Sequence, residues 1–290
     1  MPDAITQAYV QQYKANVELL LQQQTSRLRR AVTTDSYVGK AASVVEQFGA
    51  AEAQKVVGRH QTTPIISVPQ DKRWVFPTDY VWASPIDRPD RLRMLIDPAS
   101  AYVKAGAAAM ARAHDAEIMA AFFGTAKVGE NGTTDEAFDT TNYKVALATG
   151  GNNSLNVGKL RDALKRLMKA HKGEINEPVY AAITTDDHDA LLAEVQVTSK
   201  DFNSAMVMEE GRVRRYMGIE FIIIESVPTS GSSRLLPVWV PSGMHLGIWE
   251  DVMARVDERS DMNYATQVFL RTTVGATRLQ QGKVIQIEVQ

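Results

Sequence analysis

The segment DPASAYVKAGAAAMARAHDAEIMAAFFG, from Asp97 to Gly124, constrains the fold most, because it reads as one long helix with almost no large side chains. Asp97 can cap it, Pro98 suits the first helical position, and Gly124 suits a left-handed stop. At about 1.5 Å per residue it is roughly 40 Å long. Projection at about 100° per residue sets Val103, Ala107, Met110, His114, Ile118 and Ala121 on one narrow stripe, with Lys104, Arg112 and Asp115 grouped away from it. Much of the remaining circumference is alanine, and small side chains let strands and other backbones lie close against several sides. The helix is suited to be a spine that other elements cross. His114 is expected to be packed and hydrogen-bonded, since no second histidine or carboxylate shares its stripe.

The segment before it has the opposite character. Between Arg59 and Asp90 lie Pro64, Pro69, Pro77, Pro85 and Pro89, five of the eleven prolines, which exclude a continuous helix. Yet RWVFPTDYVWASP also carries Trp74, Phe76, Tyr80 and Trp82, rings with on the order of 150 to 250 Å² each to bury. TTPIISV and RWVF, separated by PQDK, predict a long hairpin with its tip near Asp71 and Lys72. A two-stranded hairpin is marginal alone in water, so it needs a surface: its own core or a neighbouring subunit.

Elsewhere the pattern mixes helix and strand. Ile5, Tyr9, Tyr13, Val17, Leu20, Leu21 and Leu28 predict an amphipathic helix from Ile5 to Val32, whose basic end (Arg27, Arg29, Arg30) complements a helix C-terminus. GTAKVGENGTTDEAFDTTNY is a polar connection with two turn signals. Val157 to Lys172 predicts a helix with Leu160, Leu164, Leu167 and Met168 inside and Gly173 as its stop. PVYAAITT reads as a strand, DDHDALLAEV as a helix, and Phe221 to Ile224 as a strand covered on both faces. PVWVPSGMHLGIW adds one or two strands, and the alternations Val268 to Val274 and Ile285 to Val289, with Gly275 interrupting, place the last strands in a sheet. The fold class is α+β, with the middle unit inserted before the last strands.

Chemistry is harder to find. The chain of 290 residues has no cysteine, which excludes disulfides, thiolate nucleophiles and cysteine-ligated metals. A formal charge of -2 indicates neither a polyanion-coating nor a strongly acidic protein. The N-terminus MPDAITQAYVQQYK lacks a basic start and apolar run, and no stretch reaches the roughly 18 apolar residues of a membrane span, so no membrane contact is expected. Phosphate-cradle, nucleophile-elbow and H-E-x-x-H patterns are absent. Asp186, Asp187, His188 and Asp189 offer metal-ligand atoms, but a threonine and aspartates before an apolar helix are the usual means of capping it. The helix bearing Lys159, Arg161, Lys165, Arg166, Lys169 and Lys172 could face phosphate, although a solvated face is the plainer reading. Catalytic, cofactor and metal residues are therefore expected to be none. What remains in excess is an arm, an aromatic hairpin and a thin spine, shapes that contact other chains.

The ordered set RWVFPTDYVWASPIDRPDRLRMLIDPASAYVKAGAAAMARAHDAEIMAAFFGTA, NVGKLRDALKRL, ITTDDHDALL, GRVRRYMGIEFIIIESVP and TTVGATRLQQGKVIQI resembles the major capsid protein of tailed bacteriophages, which has the Hong Kong 97-like fold. The resemblance spans nearly the whole chain. It implies an N-terminal arm at 1–58, an extended loop at 59–96, a peripheral domain with the spine helix at 97–148 and 250–290, and an axial domain at 149–249. It implies subunit contacts through Lys72, Arg73, Trp74, Phe76, Tyr80 and Trp82 of the loop and Tyr9, Tyr13 and Leu20 of the arm. Some members cross-link through a loop lysine; Lys72 lies near the expected tip, but no asparagine partner is matched. The implied product is a homo-oligomeric shell of pentamers and hexamers, assembled in the host cytoplasm, enclosing double-stranded DNA without reading its sequence. Its partners would be a portal and, where used, scaffolding or decoration proteins. The alternative is an encapsulin-like nanocompartment shell. Rivals from other classes are a metal-dependent hydrolase built on His188 and a nucleic-acid-binding protein built on Lys159 to Lys172.

Overall fold

A computed structural model describes residues 22–48, 70–86, 99–194 and 213–290, together with residues 53, 55, 65 and 68. Its organising element is helix α1 (Ala99–Phe123). Asp97 and Pro98, expected to start it, lie outside the described residues, as do the arm residues Tyr9, Tyr13 and Leu20. Met110, His114 and Ile118 are buried, as the stripe predicts, but Ala107 on it is exposed and Met119 and Phe122 beside it are buried, because the helix packs on more than one side. Gly106 shows why the helix is thin: a Cβ there would stand 2.6 Å from Leu270 Cδ1 and 2.7 Å from the Trp82 ring. Two expectations differ. Gly124 is not left-handed; its N–H donates to the Ala120 carbonyl at 3.0 Å, and Arg278 Nη1 satisfies the Phe122 and Gly124 carbonyls at 2.7 and 2.9 Å. Asp115, expected on the outer face, is buried because the incoming chain folds over it.

Against α1 lies a four-stranded sheet, ordered β1 (Thr33–Ser36), β13 (Met244–Arg259), β14 (Ala265–Arg278) and β4 (Thr78–Ile86). Val268, Leu270 and Thr272 alternate toward the helix; the first two cluster with Met110, and Thr272 Oγ1 lies 3.0 Å from His114 Nε2. The expected break at Gly275 does not occur. The strand runs through it, and the missing side chain admits the Phe76 carbonyl, whose oxygen would stand 2.1 Å from a Cβ.

A second sheet runs β7 (Lys144–Val145), β15 (Val284–Val289), β12 (Ser233–Trp239), β8 (Val179–Ile183), β10 (Ile219–Ile223) and β9 (Arg215–Tyr216), with β11 (Thr229–Ser230) beside β12. The parallel pair β8 and β10 carries the apolar run expected to be covered on both faces. β15 pairs with β12, so the last strand joins the sheet built by the middle segment and departs from the split at residue 250. Helix α2 (Val157–Ala170) is capped by Asn156 and closed by Gly173, whose φ is +139°. It buries Leu160, Leu164 and Leu167 against this sheet. Met168, expected inside, is exposed, because it is one residue past Leu167 and turns about 100° off the buried stripe.

The third sheet is ordered β2 (Ala42–Phe48), β3 (Gln70–Val75), β5 (Ala126–Val128) and β6 (Thr134–Glu136). It corrects two expectations. Asp71 and Lys72 are not at a tip but inside β3, opposite Gln47 and Glu46 of β2, a strand from the segment read as the arm. RWVF and YVWASP belong to different sheets, because Phe76 and Pro77 break the chain between β3 and β4. The helix expected from Ile5 to Val32 is, over 22–32, a single 3-10 turn at Arg29–Ala31. There Asp115 accepts the backbone N–H groups of Arg27 and Leu28 at 2.9 and 3.2 Å, diverting them from a helical ladder.

Candidate assembly surface

The β2–β3 ribbon is anchored at its base and apolar beyond it. Trp74 Nε1 donates to the Gly129 carbonyl at 2.8 Å, and its ring covers Gly132, where a Cβ would stand 2.7 Å away. The Asp71 carboxylate accepts from Gly129 N at 3.0 Å, and Gln47 Nε2 donates to the Leu279 carbonyl at 2.7 Å. Arg73, buried, meets the Glu136 carboxylate. Burial alone would raise the Glu136 pKa, but hydrogen bonds from Arg73 and Gln281 and the two arginine charges hold it below the ordinary value. On the segment joining β2 to β3, Ile65 is 99% exposed and Val68 37%. Sequence reasoning singled out neither, although Ile65 directly follows Pro64 in the proline-rich stretch.

The expected contact residues divide accordingly. Lys72 pairs with Glu46 at 3.0 Å, and Phe76 is exposed at the turn into β4. Trp82 is half-buried against Gly106 and Leu270 of its own subunit. Tyr80 donates to Glu117 Oε2 at 2.7 Å, and burial, with that carboxylate, pushes its pKa up to about 12. The structure brings Lys72, Arg73 and Trp74 together on β3 and sets Tyr80 and Trp82 apart on β4.

Residues 23–37 are held against the body where the chain enters it. Asp115 accepts from Gln23 Nε2, from Ser26 Oγ at 2.5 Å, and from the two backbone amides already named. Arg29 pairs with Asp251 at 3.2 Å and Arg30 with Glu220 at 3.1 Å, so neither is the helix-end cation the sequence implied. β1 then runs parallel to β13, held by His245: its Nδ1 lies 3.0 Å from Thr33 Oγ1 and its Nε2 2.9 Å from the Tyr37 hydroxyl. Thr33 Oγ1 also donates to the Met244 carbonyl at 2.7 Å, so Nδ1 is the donor and Nε2 accepts from Tyr37. Burial lowers the pKa of both His245 and His114, which keeps the rings neutral near pH 7.

The groups that could have supported other chemistry are occupied structurally. Helix α3 (Thr185–Leu192) begins with a capping box between Thr184 and Asp187. Asp187 also takes Arg234 at 2.9 Å, and His188 Nε2 accepts from Val213 N at 3.0 Å. Among the described residues no group of three or more His, Asp or Glu could hold a metal ion, and no helix is long and apolar enough to cross a membrane. The basic face of α2 loses Lys159, which is 0% exposed, donates to the Asn153 carbonyl at 2.7 Å, and has its pKa lowered by burial to about 8. Arg166 is tied to Asp162 at 3.0 Å.

The sequence model of a family described as phage capsid protein matches residues 5–290. Among solved structures, the capsid of Cyanophage P-SCSP1u has 15% identity over 98% of this chain and 94% of its own, with a TM-score of 0.73. A structure from Mycobacterium phage Che8 has 15% identity over 97% of each chain and a TM-score of 0.71. The acid-stable capsid of Helicobacter pylori bacteriophage KHP30 has 10% identity over 100% of this chain and 98% of its own, with a TM-score of 0.72. These likenesses show a shared Hong Kong 97-like α+β fold. No curated protein sequence matches the chain.

Proposed function

The chain belongs to the phage capsid protein family and is a major capsid protein; from this we propose that its copies close into pentamers and hexamers and then into an icosahedral head around double-stranded DNA. The second sheet, with α2 and β15, would gather around the capsomer axis. α1 and the first sheet would form the peripheral plate, and the β2–β3 ribbon would reach the neighbouring subunit. Such contacts are heterologous, so they build rings where the rotation closes. Each can be modest, since several neighbours together bury thousands of Å² per subunit. Assembly in the host cytoplasm, a portal and a scaffold belong to this reading; a catalysed reaction does not. The near-neutral formal charge of -2 suits a shell that encloses DNA without gripping it. An encapsulin-like compartment is not favoured, because the matching family is that of phage capsids.

The observation that carries the role of the ribbon is Ile65, fully exposed on the segment joining β2 to β3. Burying such a side chain is worth about 1.5–3 kcal/mol, and a neighbouring copy is the surface on offer. Replacing Ile65 with Asp is expected to leave a subunit that melts like the parent but forms no closed shells in negative-stain micrographs. Normal shells at normal yield would remove the ribbon from the subunit contacts.

A further inference from the structure

The backbone joins the ribbon to the body at two residue pairs, Arg73↔Val128 and Trp74↔Lys127, between β3 and β5. So short a ladder does not fix an angle by itself; side chains must. One of them connects the ribbon to the spine. Glu136, on β6, takes the Arg73 guanidinium on Oε2 and Gln281 Nε2 on Oε1 at 2.7 Å, while Arg278 Nη2 lies 3.5 Å from its carbonyl oxygen. Arg278 is the fully buried side chain that holds the last carbonyls of α1, and its ring neighbour is Phe138, 5.1 Å from the guanidinium carbon. Two buried arginines therefore converge on one acidic residue, one rooted at the end of the spine and the other in the ribbon. Arg278 is fixed by three carbonyls, so the adjustable element is the pair formed by Arg73.

We infer that Glu136 is a positioning residue for assembly, setting the angle at which the β2–β3 ribbon leaves the body and thereby the curvature of the shell. The inference rests on the reading that the ribbon contacts a neighbouring subunit. Its physical basis is that a buried guanidinium without a carboxylate draws toward water, which strains the root of β3 against its other anchors, Trp74 and Asp71 on Gly129 and Gln47 on Leu279. The planar guanidinium also presents Nη1 to Oε2 in a fixed direction, where an ammonium would rotate. A residue at the root of a lever changes the position of its far end while leaving the subunit core in place.

The test compares Glu136→Gln, Arg73→Lys and the charge-swapped pair Arg73→Glu with Glu136→Arg, scoring shell diameters by electron microscopy and subunit melting separately. The single variants are expected to assemble with a broader spread of diameters than the parent, as a loosened supporting contact would allow, and the swapped pair to narrow it again. Glu136→Gln should also melt lower, since it leaves a buried guanidinium without its carboxylate, so diameters are scored at a temperature where every variant is folded. Shells of parental diameter and spread from both single variants overturn the inference. So does a loss of folding in Glu136→Gln accompanied by parental shells from Arg73→Lys. Ile65→Asp run alongside separates the two readings. If it blocks closure while Glu136→Gln and Arg73→Lys build parental shells, only the positioning role falls; if it too builds parental shells, the ribbon contact falls first.

Discussion

The indole N–H of Trp239 donates to the carbonyl oxygen of Ala31 across 2.8 Å, while its ring centroid lies 4.6 Å from that of Phe122 and 6.0 Å from that of Tyr180. One fully buried side chain thus joins the entering chain, the end of α1 and the second sheet. Trp239→Phe keeps most of the apolar packing and leaves the Ala31 carbonyl without its donor. It is expected to lower unfolding stability by about 1–3 kcal/mol, read as a lower urea midpoint at an unchanged slope.

Asp115 collects four donors from residues 23–28, two of them backbone amides. Asp115→Asn keeps the shape but supplies one acceptor oxygen in place of two and no charge. Amide hydrogen exchange at Arg27 and Leu28 should accelerate by about tenfold or more, the loss expected for a hydrogen bond to a charged group of ~1.5 kcal/mol. Exchange in the second sheet should stay as in the parent. An unchanged rate at both amides would show that the clasp does not hold the chain.

Gly275 is extended rather than left-handed, so its need for glycine is purely spatial. A Cβ there would stand 2.1 Å from the Phe76 oxygen and 3.1 Å from Val75 Cγ2. Gly275→Ala must push the β3–β4 turn off β14, at a cost of about 2 kcal/mol or more. At Gly39, with φ +105° and nothing within 4 Å, alanine pays only for its backbone conformation, about 1–2 kcal/mol. Thermal melts of the two variants should rank in that order.

Lys159 is folded with a pKa of about 8, lowered by burial, near Asp187 of α3 and Glu288 of β15, whose own partners are Arg234 of β12 and Lys144 of β7. An unfolded lysine titrates near 10.4. Between about pH 8 and 10 the unfolded chain therefore binds more protons than the folded one, and this group makes stability rise with pH. Lys159→Met should remove that upward slope while leaving the pH 5–7 profile nearly parallel to the parent. Denaturant midpoints from pH 7 to 10 provide the check; an identical slope in both proteins would show that Lys159 is not the titrating group.

The legible parts of the fold were those whose signal is local. The alanine spine, the Thr184 cap and the apolar strand at Phe221 each carry their own periodicity or capping residue, and each forms as read. The misread parts depend on partners far along the chain. Asp115 has the pattern of an outer-face carboxylate until residues 23–28 arrive, and Lys159 that of a solvated lysine until it meets the Asn153 carbonyl. The hairpin expected from TTPIISV and RWVF rests on two apolar runs flanking PQDK, and most of TTPIISV lies outside the described residues. Pro77 divides the aromatic segment, and the strand that completes β3 comes from residues 42–48 instead. Glu136 gave no signal at all, standing in a polar connection where any acidic residue looks solvated.

The pairing of β1 with β13 has a consequence for biosynthesis. Thr33 and His245 are 212 residues apart, so at about 5–20 residues per second the nascent chain waits on the order of ten to forty seconds for the partner of β1 to leave the ribosome. Contacts of such long range slow the final closure. A newly translated subunit therefore has a window in which one strand edge is open, and chaperone occupancy during that window would favour orderly heads over tangled aggregates.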